Sequence, residues 1–209
     1  MMGKKKPLPF LENVEILDAG SEGKAIARVD ELVVFVPFVV PGDVVDVQVI
    51  KKKKKYLEGK AVKFHKYSDL RIDAFCEHFG VCGGCKWQSL PYDKQLFFKQ
   101  KQVKDNLERL GRIDTSSMSP IMGSAKTTHY RNKLEFSFSN KKWLVDQNIE
   151  EQENGETMDM DGLGFHVPGR FDKVLDLNVC YLMDEPADAI RLAVRRLAKE
   201  NDICFFDPR

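Results

Sequence analysis

The sequence predicts an α+β fold that opens with a five-stranded, OB-like β-barrel. Residues 13–66 hold short segments rich in valine, in which apolar and polar residues alternate. Turn signals such as Pro41-Gly42-Asp43 separate these segments. Five strands in about 55 residues is the size of an OB-type barrel, a fold whose face and loops bind oligonucleotides.

The predicted strands follow one another closely along the chain. They read NVEILDAG (13–20), KAIARVD (24–30), LVVFVPFVV (32–40), VVDVQVI (44–50) and YLEGKAVKF (56–64). An unbroken run of lysines lies between the last two strands: Lys51, Lys52, Lys53, Lys54 and Lys55. Five consecutive lysines cannot pair with a buried face, so a solvated, mobile loop is predicted. Its place on such a barrel favours contact with a phosphate backbone, and a loop that only keeps the protein dissolved is the alternative.

Composition limits the kind of protein this chain can be. It has 209 residues, 43% hydrophobic and 31% charged, which suits a folded core in one large or two small domains. The longest apolar run, residues 32–41, is about half of what a membrane span requires. Residues 1–66 carry 13 Lys and Arg against 9 Asp and Glu, and this modest excess suits a polyanion such as RNA. A cytoplasmic location is expected because no apolar stretch follows the N-terminal lysines.

Two helices and further strands are predicted after the barrel. Within residues 91–112 an apolar stripe at helical spacing predicts a helix of about 18 residues, and its members are Leu96, Val103, Leu107 and Leu110. A second helix is predicted within residues 183–202. The polar, acidic residues 147–161 are expected to form a flexible loop. Alternating residues predict a hairpin at 130–146, and strands are predicted at 162–168, at 173–180 and from residue 203 onward.

Three of the five cysteines lie close together. Cys76, Cys82 and Cys85 are spaced C-x5-C-x2-C, with Gly83 and Gly84 between the last two. Such a tight turn brings several thiolates to one centre, and glycine amides can donate hydrogen bonds to its sulfurs. In a cytosolic chain, cysteines indicate metal ligation or catalysis rather than disulfides, and this close spacing favours a metal.

A fourth ligand must come from farther along the chain, because a four-iron cluster takes four thiolates. Cys180 follows a predicted strand and precedes the second helix, whereas Cys204 lies in an apolar run. The sequence therefore favours Cys180. His78 is a rival ligand for a Cys3His zinc site. Structural zinc sites usually show two C-x2-C pairs and this chain has one, so the pattern favours a [4Fe–4S] cluster over zinc.

These segments together resemble a known family. The matching stretches are the barrel at 13–66, CEHFGVCGGCKWQ (76–88), YRNKLEFSF (130–138), GFHVPGRFDKVLDLNVC (164–180) and FFDPR (205–209). The chain resembles the bacterial RNA (uracil-5-)-methyltransferases, in the branch with an N-terminal TRAM domain and a [4Fe–4S] cluster. The resemblance implies that Arg131 and Lys133 lie near an RNA-facing surface. It also implies four cluster ligands: Cys76, Cys82, Cys85 and Cys180.

The resemblance further implies a reaction. Members of the family transfer a methyl group from S-adenosylmethionine to C5 of a uridine, through a cysteine that adds to C6 of a flipped base. The 209 residues hold no glycine-rich turn of the kind that binds S-adenosylmethionine. They also hold no cysteine within the family's catalytic motif, and Cys204 does not take that role. We therefore expect the N-terminal half of such an enzyme, without a Rossmann-like methyltransferase domain or catalytic residues, and inactive alone.

The resemblance also gives an expected RNA substrate and an expected division of the chain into domains. Ribosomal RNA of the 23S type is the expected substrate, because the tRNA-specific relatives typically lack the TRAM barrel and the cluster. A monomer in three parts is expected: a TRAM domain at 1–66, a cysteine segment with its helix at 67–112, and a partial central RNA-binding domain at 113–209. The alternatives are a stand-alone RNA-binding iron–sulfur protein without catalysis, and a zinc-binding structural module.

Overall fold

The computed structural model describes residues 7–145 and 159–207. Most of the predicted acidic loop at 147–161 therefore lies outside the described residues, as does the end of the FFDPR segment. Within the described ranges, no helix combines the length and the apolar character needed to cross a membrane.

The described residues form two compact units. The first unit holds residues 7–75 and 86–123. The second unit holds residues 76–85 together with the described residues after 123. The cysteine loop thus belongs to a different unit from the segments that flank it in the sequence.

The first unit contains a six-stranded β-sheet. Its strands are β1 (Phe10–Glu15), β2 (Asp18–Ala19), β3 (Lys24–Val29), β4 (Leu32–Pro37), β5 (Val44–Lys52) and β6 (Tyr56–Lys66). Their order across the sheet is β1-β5-β6-β4-β3-β2, and neighbours are antiparallel except for the parallel pair β4 and β6. Strands β1 and β3 also approach each other, so the sheet curls.

Valines on the inner face of this sheet form the core of the first unit. Val45, Val47 and Val49 of β5 are at most 1% exposed, and they belong to one cluster with Val34 and Val36 of β4. The two-residue period of a strand places these alternate side chains on the same face. Burying each one contributes about 1.5–3 kcal/mol. A slip of one residue would expose the whole set, so the alternation fixes the register.

The fold class predicted from the sequence is wrong in its barrel. It assigned five strands, with residues 13–20 as one of them, whereas the structure divides this stretch between β1 and β2, at opposite edges of a six-stranded sheet. The chain crosses between the edges at two residues. Ile16 N donates to Asp43 O at 2.9 Å. Leu17 N donates to Ile26 O at 2.8 Å. A strand of two residues offers no alternation to detect, which is why the pattern merged it with β1.

Helix α1 (Tyr92–Arg109) belongs to the first unit and has the 18 residues that the pattern predicts. Its buried residue is Phe98, which clusters with Val40 and Leu90. Two members of the predicted apolar stripe are exposed instead, Val103 by 51% and Leu110 by 81%. The helix therefore packs through an aromatic ring near its start rather than along the predicted stripe.

The second unit contains a three-stranded antiparallel sheet and a helix. The strands are β7 (Ser137–Ser139), β8 (Gly162–Val167) and β9 (Arg170–Asp176), in that order across the sheet. The helix is α2 (Ala187–Glu200). The predicted hairpin at 130–146 is reduced to β7, because the rest of that segment forms only isolated bridges. Val174 and Leu175 of β9 lie in the buried interior.

Helix α2 buries charged side chains and exposes apolar ones. Arg191 is 5% exposed and pairs with Asp188 at 2.8 Å. Arg195 pairs with Asp176 at 2.5 Å. Apolar residues of the same helix are exposed by 43–58%: Ile190, Val194 and Leu197. The charged face of α2 is therefore the one that positions neighbouring residues of the second unit.

Candidate functional site

The structure places the four predicted cluster cysteines in one compact unit. Three lie in the loop of residues 76–85 and the fourth follows β9, and all belong to the second unit. The three loop cysteines are half-buried, and the fourth is buried. The four are Cys76, Cys82, Cys85 and Cys180. Residues about a hundred positions apart in sequence thus share one unit, as a common ligand set requires.

Backbone hydrogen bonds fold the cysteine loop into tight turns. Phe79 N donates to Cys76 O at 3.0 Å. Cys82 N donates to His78 O at 2.8 Å. Gly84 N donates to Cys82 Sγ at 3.3 Å, so a backbone amide is directed at a candidate ligand sulfur. Hydrogen bonds of this kind stabilise thiolates that hold iron.

The two glycines of the loop face different constraints. A Cβ on Gly83 would lie 2.6 Å from the carbonyl oxygen of His166 in β8, and a backbone atom cannot move aside. A Cβ on Gly84 would meet Cys82 Sγ at 3.4 Å and the Phe165 ring at 3.6 Å, which are ordinary contacts. The close approach of the loop to β8 therefore requires glycine at position 83.

The thiols influence one another electrostatically. Burial raises the pKa of the Cys82 thiol to about 11, against the lowering effect of the Gly84 amide. Repulsion from the other thiolates raises this pKa further: Cys85, Cys180 and Cys76. Burial also raises the pKa of Cys76 and of Cys180. The four sulfurs lie within range of one another's charge, and a cationic centre would stabilise all of them as thiolates.

A buried ion pair of α2 anchors Cys180. The Cys180 amide donates to Asp188 Oδ2 at 2.7 Å. Asp188 Oδ1 accepts a hydrogen bond from Arg191 Nη2 at 2.8 Å. Arg191 also donates to the carbonyl oxygens of Leu177 and Asn178. The pair thus holds the segment between β9 and α2 by its backbone, which restricts where the Cys180 side chain can point.

The same arginine contacts aromatic residues beside the cysteine loop. Arg191 Cζ lies 5.2 Å from the centroid of the Phe136 ring. The Phe136 ring lies 5.0 Å from the Phe165 ring, which in turn lies beside Gly84. A continuous series of contacts therefore joins the anchor of the distant cysteine to the cysteine loop.

Other sequence-predicted metal ligands are placed differently. Cys204 is exposed, unlike the four candidate ligands. His78 lies inside the cysteine loop; its buried Nε2 is 3.2 Å from Glu77 Oε1, although the two atoms are not aligned for a hydrogen bond. Across residues 7–145 and 159–207, no group of three or more His, Cys, Asp or Glu side chains is placed to hold a metal ion.

The predicted lysine run lies in the first unit, at the hairpin between β5 and β6. Lys51 and Lys52 end β5, so three of the five lysines form the connector. Lys51 Nζ donates to Glu58 Oε1 at 2.6 Å, and this bond raises the pKa of Lys51. The connector lysines are exposed: Lys53, Lys54 and Lys55. Part of the run is therefore strand, paired with a carboxylate, and only the connector resembles the predicted loop.

Arg131 and Lys133 lie in the second unit, on a segment before β7. Arg131 N donates to Leu182 O at 2.8 Å, and the residue is exposed. Lys133 Nζ lies 3.6 Å from Glu135 Oε1, with both side chains more than 80% exposed. Both side chains are therefore open to solvent.

Sequence reasoning missed Asp188 and Arg191. The available signal was an Asp-x-x-Arg pair at i,i+3 spacing that begins eight residues after Cys180. Such pairs are common on solvated helix faces, so spacing alone does not distinguish a buried anchor from a surface pair.

The TRAM domain family matches residues 12–62. An uncharacterized RNA methyltransferase from Bacteroides thetaiotaomicron is 57% identical over 189 residues, covering 90% of this chain and 41% of that protein. An uncharacterized RNA methyltransferase from Porphyromonas gingivalis is 47% identical over 196 residues, covering 93% of this chain and 41% of that protein. The chain spans about two fifths of the length of the curated relatives it matches.

A solved structure has a similar fold. The crystal structure of Pyrococcus abyssi tRNA (uracil-54, C5)-methyltransferase in complex with S-adenosyl-L-homocysteine matches with a TM-score of 0.60 and 21% identity. The match covers 92% of this chain and 38% of that chain. The chain is thus folded like part of a methyltransferase. The sequence predicts a fold class that lacks a Rossmann-like methyltransferase domain. The likeness to a methyltransferase over 92% of this chain does not support that expectation, so this part of the predicted fold class is wrong as well.

Proposed function

We propose that this chain is the N-terminal, RNA-binding part of a TRAM-containing RNA methyltransferase, the family that its TRAM domain and its relatives support. The whole protein is proposed to transfer a methyl group from S-adenosylmethionine to C5 of a uridine in RNA. The relatives' names support the methyl transfer to RNA, and the fold shared with a uracil methyltransferase is compatible with the position on the base. The comparisons do not support the expectation that the 209-residue chain is inactive alone.

The second part of the proposal is a structural [4Fe–4S] cluster in the second unit. The observation that carries it is the gathering of four cysteines in one unit, with a backbone amide directed at one of their sulfurs. The proposed ligands are Cys76, Cys82, Cys85 and Cys180. Burial, with some repulsion between the sulfurs, raises the pKa of Cys76, Cys82 and Cys180 and so disfavours their thiolates without a metal, and iron supplies the positive charge that offsets both effects. Four protein thiolates leave no iron open, so a structural role follows.

A cluster fits these residues better than a single zinc ion. Zinc holds four ligands at about 2.0–2.3 Å, which brings all of them close to one point. In the part of the chain that the structure describes, no three His, Cys, Asp or Glu side chains are placed for one ion. In a [4Fe–4S] cluster each thiolate binds a different iron, so the sulfurs are farther apart. His78 is accordingly not proposed as a ligand.

The RNA is proposed to be ribosomal, of the 23S type. This rests on the combination of a TRAM domain with the cysteine pattern. The likeness to a tRNA enzyme does not oppose it, because at 21% identity that likeness concerns the fold. The proposed backbone contacts are the connector lysines and two residues of the second unit: Lys53, Lys54, Lys55, Arg131 and Lys133.

Purification of the chain without oxygen tests the cluster. About four irons per chain and a brown colour are expected. A colourless protein with stoichiometric zinc would contradict the cluster and favour the zinc-binding module.

The division of the chain into three parts, at 1–66, 67–112 and 113–209, stays a prediction. Limited proteolysis of the same sample tests it.

A methyl-transfer assay tests the activity of the whole protein. The protein, with any sequence that continues beyond this chain, is incubated with labelled S-adenosylmethionine and either ribosomal RNA or tRNA. Label in C5 of ribosomal uridine is expected. Iron without methyl transfer to either RNA would favour the alternative, an RNA-binding iron–sulfur protein without catalysis. Label in tRNA alone would overturn the ribosomal assignment.

A further inference from the structure

We propose that Tyr67, directly after β6 in the first unit, is a stacking site for an unpaired RNA base. The inference rests on the proposed RNA binding and adds to it a residue and a class of ligand. Neither the lysine run nor the second-unit residues proposed above include an aromatic ring.

The ring of Tyr67 is held on one side and open to solvent. It stacks on the Phe64 ring, with centroids 4.8 Å apart and planes 16° from parallel. Phe64 packs against the buried core of the first unit, so it provides a fixed support. Tyr67 is nonetheless 62% exposed. An aromatic ring fixed in orientation but accessible is what a base needs for stacking.

Arg71 locks this stack in place. Its Cζ lies 5.2 Å from the Phe64 ring centroid and 5.5 Å from that of Tyr67. Arg71 Nη2 donates to Asp43 Oδ2 at 2.7 Å and to Phe38 O at 3.2 Å. Asp43 is completely buried and also accepts hydrogen bonds from the amides of Val40 and Ser68, and if the guanidinium swung away this buried carboxylate would lose its cation. The rings are therefore ordered before any ligand arrives, which lowers the entropy cost of binding.

Strand β6, which ends directly before Tyr67, carries exposed basic residues. Three exposed lysines lie on this strand: Lys60, Lys63 and Lys66. Lysine ammonium groups attract RNA phosphates without reading the sequence. An exposed aromatic ring at the end of such a strand combines the two parts of a single-strand site, a positively charged path for the backbone and a surface for a base.

The hairpin connector lacks this combination. The aromatic residue beside it is Tyr56, which is half-buried and makes an edge contact with Phe35 at 5.7 Å. Its ring is therefore engaged by the sheet. The connector is suited to phosphates alone, whereas Tyr67 distinguishes an unpaired base from a duplex, whose bases already stack on one another.

The test compares two RNA probes and five forms of the chain, of which one is a control. The probes are an oligouridine of about 12 nucleotides and a duplex RNA of the same length, both fluorescein-labelled and titrated by anisotropy. The forms are wild type, Tyr67→Ala, Tyr67→Leu and Tyr67→Phe. Leucine still covers Phe64 but cannot stack on a base, and phenylalanine retains the ring. Phe171→Ala, which removes a 78% exposed ring from the second unit, is the control.

Stacking predicts that Tyr67→Ala and Tyr67→Leu weaken oligouridine binding about 5- to 100-fold. Tyr67→Phe and Phe171→Ala should stay within about twofold of wild type, and duplex binding should be unchanged in all variants. Melting temperatures identify any variant that fails to fold. Wild-type affinity for oligouridine in the Leu variant would overturn this inference alone. Equal losses for both probes would show a general effect and also overturn it. No binding of either RNA by wild type would overturn the inference and the RNA-binding proposal together, while the iron analysis would still decide the cluster.

Discussion

The backbone amide of Cys180 donates a hydrogen bond to the carboxylate of Asp188 at 2.7 Å. The acceptor lies eight residues later in the chain and is itself held by Arg191. A helix therefore fixes the distant candidate ligand through its backbone, while the side chain stays available for a metal. The role of this hydrogen bond can be tested in the second unit by comparing a buried and an exposed arginine of the same helix.

Removal of the buried arginine should weaken both the second unit and the proposed cluster. Arg191→Ala leaves Asp188 without its cation and removes the donors to two carbonyl groups. Loss of one partner of a buried pair costs about 3–5 kcal/mol. Arg196→Ala is the control, because Arg196 is an exposed arginine of the same helix and its loss should cost under about 0.5 kcal/mol. Urea unfolding and iron content measure the two effects, and equal iron content in both variants would contradict the anchoring role.

The fourth ligand is tested by two cysteine substitutions. Cys180→Ala should lose the cluster, because a buried thiolate of the set is removed. Cys204→Ala should retain about four irons per chain, because this thiol is exposed, unlike the four candidate ligands. Iron and sulfide are measured after anaerobic purification. The reverse pattern would assign the fourth ligand to Cys204.

Neighbouring glycines provide a second matched pair. Gly83→Ala should reduce iron content, because the added Cβ would lie 2.6 Å from the carbonyl oxygen of His166 and the loop would have to shift. Gly84→Ala should retain most of the iron, since its added Cβ makes only ordinary contacts. Visible absorbance per chain reports the difference. Normal absorbance in the Gly83 variant would show that the loop can move away from β8 without losing its ligands.

Local patterns predicted the elements whose signal repeats along the chain. Alternating valines identified β5, and helical spacing identified α1 with its length of 18 residues. Features set by tertiary contacts were missed. Strand β2 has two residues and depends on pairing with β3. Lys51 belongs to a strand because Glu58 lies opposite it, which a run of five lysines does not reveal.

The same limit applies to the candidate site. The spacing of Cys76, Cys82 and Cys85 is a local signal, and it is sufficient to predict a metal centre, which stays a prediction. Helix α2 departs from the usual amphipathic pattern, because Arg191 is buried beside Ala198 while Leu197 is 50% exposed. A reading based on apolar periodicity assigns such a helix the wrong buried face, so the anchor could not be found from the sequence.

The connector lysines should determine part of the salt dependence of RNA binding. Each lysine that neutralises a phosphate adds about 0.7–0.9 to the slope of log K against log salt. Replacement of Lys53, Lys54 and Lys55 by glutamine should weaken binding of all RNAs similarly and flatten the slope. Lys51→Gln should change the slope less, because Lys51 is already paired with Glu58. Titrations at two salt concentrations measure both effects, and an unchanged slope in the triple variant would leave these lysines with no role in binding.

Acid should destabilise the first unit partly through Asp46. The amide of Asn13 donates to Asp46 Oδ1 at 2.9 Å, and this hydrogen bond lowers the pKa of the Asp46 carboxyl. Burial opposes the lowering, and a hydrogen bond between Asp46 and His65 at 2.7 Å adds to it. Because the pKa is lower in the folded than in the unfolded state, the unfolded chain binds the proton more readily in acid. The stabilisation is therefore present above the unfolded value of about 3.9 and is lost as pH falls through the lower folded value.

The substitution Asp46→Asn isolates this contribution. Asparagine can still accept the Asn13 amide but does not titrate, so the variant should be less stable than wild type at pH 7 and closer to it in strong acid. Urea unfolding at pH 7, 4 and 3 gives the free energy of unfolding for both proteins. Asp93→Asn is the control, because Asp93 is a carboxylate of α1 in the same unit with a side chain that is 73% exposed, and its loss should change stability little at any of the three pH values. A difference between wild type and the Asp46 variant that stays constant across the three pH values would show that the loss is one of packing and not of charge.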